Sequence, residues 1–230
     1  MMAKKLLRYG VPLVLVPLTL AFGVVLLHDR KYNIISMIVA VLACVPFFFA
    51  FEKRRASTKE MMVVAVMVAI SVTGRFVFAA LPGFKPVTAI VVITAMYLGP
   101  EAGFLTGALS AVVSNMYFGQ GPWTPFQMFS WGIIGLLAGL LAKKGWLQNK
   151  IALSLYGVFA GVLFSQMMDV WTVLNWDGAF HWSRYLVAMT SALPFTAIYA
   201  VSNVIFLLIA AGPIGRKLER IKEKYGLMEA

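Results

Sequence analysis

The chain has 230 residues, of which 61% are hydrophobic, and its mean hydropathy is +0.85. These values lie far above those of a soluble globular domain, so the composition indicates an integral membrane protein. The net charge of +11 does not indicate a nucleic-acid partner, because the basic residues are divided among short segments between apolar runs. The single cysteine, Cys44, excludes an internal disulfide and any paired-cysteine metal or redox motif.

The first apolar run, residues 10–27, follows a basic start and therefore has to be distinguished from a signal peptide. No cleavage site of small residues follows it; residues 28–31 are instead His-Asp-Arg-Lys. We therefore predict a retained transmembrane helix, which forms a hairpin with the second run at residues 33–51. The hairpin carries few polar residues, and its role is undetermined by the sequence.

A basic linker separates this hairpin from six further apolar segments. The second of the six has only 13 residues, or about 20 Å of helix, and the topology downstream depends on whether it crosses the membrane. The predicted fold is therefore an all-α integral membrane protein, with a hairpin and linker (1–56), a six-helix bundle (57–211) and a basic tail lying on the membrane surface (212–230). The predicted spans of the bundle are residues 59–79, 86–98, 101–118, 124–142, 151–173 and 186–211.

The distribution of Lys and Arg predicts the orientation of the chain. With the N-terminus inside, the inner segments hold 15 of these residues and the outer segments hold 5. This division follows the positive-inside rule and favours an even number of spans. We expect a multi-pass protein of the cell membrane with both termini in the cytoplasm.

Motifs for the common catalytic chemistries are absent from the sequence. It contains no GxxxxGK[ST] phosphate loop, no HExxH zinc motif and no GxSxG nucleophile motif. No span combines a nucleophile with a base, and the two histidines, His28 and His181, are far apart in sequence. We expect no enzymatic activity, no cofactor and no metal.

Polar amides and tryptophans gather toward the predicted outer face, which suggests a pocket for a small molecule. Neutral amides can hydrogen-bond a polar ligand without the cost of a buried charge, and ionisable groups within spans are expensive unless they serve a function. The alternatives are an interfacial aromatic belt, hydrogen bonds between helices, and, for Arg75 and Asp169, mutual pairing or simple interfacial placement. The candidate substrate-binding residues are Arg75, Lys85, Asn115, Gln120, Trp123, Gln127, Asp169 and Trp176.

Small residues also recur at four-residue spacing in this section. Gly99, Gly103, Gly107 and Ala111 share one face of a helix, and Gly157, Gly161 and Ser165 share another. Such faces allow two helix backbones to approach closely in lipid. We predict that they serve helix packing.

The six-helix section resembles the substrate-binding S components of energy-coupling factor (ECF) vitamin transporters. The resemblance rests on the cytoplasmic N-terminus before six helices, on residues 85–141, and on the pair Ala65 and Ala69 in the first helix. It covers about residues 57–211 and implies a chain that binds a vitamin or its precursor from outside without hydrolysing ATP. It also implies docking onto two ATPases and a transmembrane coupling protein, which Ala65 and Ala69 would contact. The N-terminal hairpin departs from the six-helix pattern.

The ligand is less defined than the family. The sequence looks closest to members that handle cobalamin or related corrinoids, while hydroxymethylpyrimidine, pyridoxine-type, riboflavin-like and queuosine-related ligands remain open. An ion-coupled secondary transporter is the alternative function, although such carriers usually have more intramembrane acids than Asp169 alone. A membrane sensor or enzyme acting on a lipid-soluble substrate is a further possible function.

Overall fold

A computed structural model describes residues 58–226, and all the regular secondary structure within that range is helical. The all-α prediction is confirmed for these residues, whereas the predicted hairpin over residues 1–56 lies outside them. The six helices of the described range are α1 (Thr58–Val77), α2 (Val87–Leu98), α3 (Pro100–Phe118), α4 (Thr124–Lys143), α5 (Lys150–Asp177) and α6 (Trp182–Tyr225).

Four of the described helices, α1, α4, α5 and α6, are individually long and apolar enough to cross a membrane. Helix α2 is apolar but has only 12 residues, or about 18 Å of helix. Large apolar side chains on α1, α5 and α6 remain exposed, as expected where a helix surface faces lipid rather than protein. These features identify a membrane protein.

Helix α2 is the centre of the bundle. It contacts each of the other five described helices, and the side chains of Val91, Val92 and Ile93 are fully buried. A helix surrounded by protein does not need to match the thickness of the hydrocarbon core, which explains how so short an element is accommodated. Its end is abrupt because Gly99, at a positive φ of 89°, leads directly into Pro100, the first residue of α3.

The glycine face of α3 is a packing surface, as its spacing predicts. A Cβ added at Gly107 would overlap the backbone carbonyl of Trp131 on α4, and one added at Gly103 would lie 2.9 Å from the carbonyl oxygen of Gly135. The backbones of α3 and α4 therefore touch along this line. Close backbone contact of this kind replaces the hydrophobic effect as the source of helix association in lipid.

Helices α5 and α6 form an antiparallel pair through a second small-residue face. Ser165 Oγ and Thr196 Oγ1 are 2.6 Å apart, and Asn203 Nδ2 donates to the carbonyl of Gly157 over 3.1 Å. A Cβ added at Gly161 would lie 2.6 Å from the backbone nitrogen of Ala200. The three contacts fix the register of the two helices along their length.

The structure differs from the prediction at the end of the last helix. The sequence places that end at residue 211, before Gly212 and Pro213, but α6 continues through both residues and ends at Tyr225. Tertiary packing stabilises the continuation: Leu218 is buried in the main core, and the Tyr97 side chain lies against Gly215. The local helix-breaking preference of a Gly-Pro pair is therefore overridden by contacts with the bundle.

The glycine contact generates a stability prediction. Gly107→Ala should lower the free energy of unfolding by about 1–3 kcal/mol, because the new methyl group would force α3 and α4 apart. The melting temperature of the purified protein in detergent measures the effect. Gly212→Ala is the matched control, since the nearest atom to its added Cβ is Arg216 Nη1 at 3.6 Å. Equal melting temperatures for the two variants would contradict the packing assignment.

Candidate functional site

The candidate site lies at the end of the bundle that carries the α1–α2, α3–α4 and α5–α6 connections. We call it the outer end, because the charge distribution predicts that it faces outward. The opposite end, which carries the α4–α5 connection and the end of α6, is called the basic end.

Arg75, in the last turn of α1, reaches across to α3. Its Nη1 donates to Ser114 Oγ and, over 2.8 Å, to Asn115 Oδ1. The guanidinium carbon lies 4.7 Å from the centre of the Phe118 ring and 5.4 Å from that of Trp131. Hydrogen-bond acceptors and the faces of aromatic rings are the surroundings that a half-buried arginine requires.

Asn115 joins this arginine to the beginning of α4. The asparagine is fully buried, and its Nδ2 donates to Thr124 Oγ1 over 2.9 Å and to Gln127 Oε1 over 2.8 Å. Thr124 Oγ1 in turn donates to Gln120 Oε1 over 3.0 Å, and Gln120 Nε2 donates to the carbonyl of Val112 over 2.8 Å. The end of α3, the loop and the first turn of α4 thus share one hydrogen-bond network.

Trp123, which directly precedes α4, folds back over the loop between α3 and α4. A Cβ added at Gly121 would overlap the Trp123 indole, so glycine is the residue that allows this approach. The Trp123 ring meets Trp171 of α5 edge to face, with ring centres 5.9 Å apart and planes at 77°. The pair connects α4 to α5 at the outer end.

Three more aromatic rings continue inward from this pair. Trp131 of α4 stacks on Phe164 of α5, with ring centres 4.9 Å apart and planes at 16°. Phe164 then meets Tyr199 of α6 edge to face, with centres 5.3 Å apart. Offset-stacked and edge-to-face geometries are the favourable arrangements of aromatic pairs, so the three helices are joined by ring contacts.

Asp169 has an unsatisfied hydrogen-bond acceptor. The residue is 6% exposed, and its Oδ2 has no hydrogen-bond partner among residues 58–226; the indole nitrogen of Trp171 also lacks one there. The alternative of an ion pair between Asp169 and Arg75 is not observed, because Nη1 of the arginine is directed to α3. A buried polar atom without a partner is costly and calls for a ligand or water.

Lys85 secures the α1–α2 connection. Its backbone nitrogen donates to Ser202 Oγ over 3.0 Å, and the same hydroxyl donates back to the Lys85 carbonyl over 3.1 Å. Burial lowers the pKa of Lys85 below its usual range, and the nearby Arg75 lowers it further. Its three ammonium donors are shared among three backbone carbonyls, those of Phe78, Ala79 and Leu81.

The structure brings together part of the predicted set. Arg75, Asn115, Gln120 and Gln127 belong to one hydrogen-bond network, and Trp123 lies in the loop that this network closes. Asp169 is on α5 and is not hydrogen-bonded to them. Lys85 binds its own loop, and Trp176, near the end of α5, is 58% exposed.

Three residues at the outer end were not predicted from the sequence, namely Ser114, Thr124 and Tyr199. Ser114 and Thr124 directly adjoin the predicted residues Asn115 and Trp123, and that adjacency could have indicated them. Nothing in the sequence around Tyr199 points to this site. Its position depends on the packing of α6 against α5.

The pair Ala65 and Ala69 lies on the surface of α1 that faces away from the other helices. Both residues are exposed, as is Val66 between them, while Met67 and Val68 face the interior. Two small side chains one turn apart on an exposed helix surface allow another helix to approach closely.

Comparison with known proteins assigns the chain to a family. A family model described as "ECF-type riboflavin transporter, S component" matches residues 55–220, which include every described helix except the last turns of α6. No solved structure matches the chain.

Several curated proteins are also similar over most of their length. A UPF0397 protein of Aliivibrio salmonicida (strain LFI1238) is 27% identical over 161 residues, covering 68% of this chain and 82% of the relative. A UPF0397 protein of Vibrio atlanticus (strain LGP32) is 24% identical over 189 residues, covering 76% and 98%. The extent of the family match decides the assignment: the chain belongs to the family of S components of ECF-type transporters.

Proposed function

We propose that the chain is the substrate-binding subunit of an ECF-type importer and that it takes up a vitamin or vitamin precursor with a flat heteroaromatic ring. The observation that carries the proposal is the network from Arg75 through Asn115 to Gln127, which lies beside aromatic rings at the outer end. A separate module of two ATPases and a coupling protein would supply the energy. The family assignment supports this division.

The chemistry of the outer end favours a ring with polar edges. Trp123 and Trp171 offer aromatic surface for stacking, and the amides around them are neutral. Within residues 58–226, Asp169 Oδ2 is an acceptor without a hydrogen-bond partner, and Trp171 Nε1 is a donor without one. A ligand that donates an N–H or O–H group to Asp169 Oδ2 would satisfy the buried acceptor.

Two ligand classes fit the family. The sequence favours a corrinoid, whereas the description of the matching family model names riboflavin. A flavin has a flat ring with a donor and acceptors on one edge, and it matches the aromatic surfaces more closely than a corrinoid does. We therefore propose a riboflavin-like ligand, with cobalamin as the comparison in every binding experiment.

Uptake by vesicles tests the function. Vesicles that contain the chain and the ATPase module should accumulate labelled ligand with ATP, and vesicles with the chain alone should not. Ala65→Trp should retain ligand binding and lose uptake. The large side chain would keep the coupling protein away from the exposed surface of α1. Ile209→Trp, on the exposed surface of α6, is the control and should keep both.

Two outcomes would contradict this scheme. Accumulation driven by an ion gradient in vesicles without the ATPases would indicate a secondary transporter. Normal uptake by Ala65→Trp would show that this surface of α1 does not contact the coupling protein.

Replacement of Trp123 tests the aromatic wall. Trp123→Ala should weaken riboflavin binding by about tenfold to hundredfold, the usual range when a buried aromatic contact is removed. Quenching of riboflavin fluorescence by the purified chain measures the affinity, with cyanocobalamin tested by competition. Trp146→Ala is the matched control, since that tryptophan is 62% exposed at the basic end. Equal affinities for the two variants would exclude Trp123 from the site.

Replacement of Asp169 tests the unpartnered acceptor. Asp169→Asn keeps the size of the side chain but removes its negative charge, so ligand binding should weaken by about tenfold to hundredfold. The melting temperature of the ligand-free protein should not fall, because Oδ2 accepts no hydrogen bond from residues 58–226. The control is Asp177→Asn, which removes an ion pair with the exposed Arg184. Unchanged affinity in Asp169→Asn would place the ligand elsewhere.

A further inference from the structure

A cleft of about 700 Å³ opens at the basic end, opposite the candidate ligand site. It lies between the end of α2, the turn from α4 to α5, and the last third of α6. Three cationic side chains line it: Lys150 at the start of α5, and Arg216 and Lys222 on α6. The volume is in the range of pockets that bind small molecules.

One wall of the cleft is apolar and continues onto the membrane-facing surface. Leu153 and Leu207 are buried in this wall, whereas Leu208 lines the cleft and is still 44% exposed. Ile209, the next residue of α6, is 66% exposed. The cleft is therefore open toward the region that lipid chains occupy around an integral membrane protein.

The polarity of the cleft changes along α6. Leu208, Gly212, Arg216 and Glu219 follow one another at intervals of three or four residues, so they share one face of the helix. The face passes from apolar to charged between Leu208 and Arg216, a rise of about 12 Å. An occupant that fits this gradient has an apolar body and a polar head.

The charged part of the cleft favours an anion. Glu219 is the one carboxylate that lines it, against three cations, and within residues 58–226 no ion pair joins Glu219 to Lys150, Arg216 or Lys222. The cations are thus not neutralised by protein contacts in that range. Basic pockets between helices, close to the membrane surface, are suited to phosphate-bearing headgroups.

We propose that this cleft binds the headgroup of an anionic phospholipid, with Arg216, Lys222 and Lys150 around the phosphodiester and an acyl chain along Leu208. The cations account for the negative headgroup, and the apolar wall accounts for the chain. A free phosphate would use only the cations. The inference does not depend on the proposed function, because it uses no residue of the outer end.

Native mass spectrometry of the full chain, released from detergent and titrated with dioleoylphosphatidylglycerol, tests the site. The double variant Arg216→Gln/Lys222→Gln should lose about fivefold in apparent affinity for each cation removed. Lys150→Gln, on a different helix, should lose about fivefold by itself. The matched control is Lys217→Gln/Arg220→Gln, which makes the same change of charge on exposed positions of α6 outside the cleft. It should bind as the unaltered chain does.

Three outcomes would overturn the proposal. Equal losses in the control would show attraction by net charge alone, without a site. Binding of dioleoylphosphatidylcholine as tightly as dioleoylphosphatidylglycerol would show that the three cations do not select an anionic headgroup. Displacement of the phosphatidylglycerol by millimolar inorganic phosphate would identify a soluble-anion site. Melting temperatures of all variants, measured in the same detergent, distinguish loss of binding from loss of the fold.

Discussion

The outer end of the bundle depends on the hydrogen bonds that the Arg75 guanidinium makes to α3. A half-buried cation is costly unless acceptors compensate for lost water, and Ser114 and Asn115 provide them. Because the Asn115 carbonyl is held by Arg75, its amide nitrogen is fixed in the direction of α4, where Thr124 and Gln127 accept from it. One charge on α1 therefore orients polar groups on two other helices, α3 and α4. Such preorganisation limits the entropy that ligand binding has to overcome.

The geometry of this network follows from the helix packing in the middle of the bundle. Helices α3 and α4 touch through glycines, and this close approach keeps Asn115 within hydrogen-bond distance of the first turn of α4. Helix α2 lies at the centre and carries mainly small and β-branched side chains. The other five described helices all contact it. On the other side, α5 carries Asp169, and the Tyr199 ring of α6 packs against Phe164 of α5. The two ends of the bundle thus differ in chemistry: amides and aromatic rings at one, cations at the other.

Much of this arrangement could be predicted from the sequence because membrane helices and small-residue packing leave periodic signals. The runs of apolar residues indicated the six described helices, and the spacing of Gly103 and Gly107 indicated a packing face. Contacts between distant residues left no such signal. The contact of Tyr199 with Phe164 and the use of Lys85 by its own loop depend on how α6 and the α1–α2 connection pack. The continuation of α6 beyond Pro213 depends on burial of Leu218, which outweighs a local preference.

The central claim is that the outer end binds one vitamin tightly and without nucleotide. Native mass spectrometry of the chain, purified from cells grown on a vitamin-rich medium, tests it most directly, since it gives stoichiometry and ligand mass together. We expect one bound small molecule per chain, with the mass of a riboflavin-like compound, in the absence of ATP and of the ATPases. A chain that carries no ligand, and that still binds neither riboflavin nor cobalamin when these are added, would contradict the account.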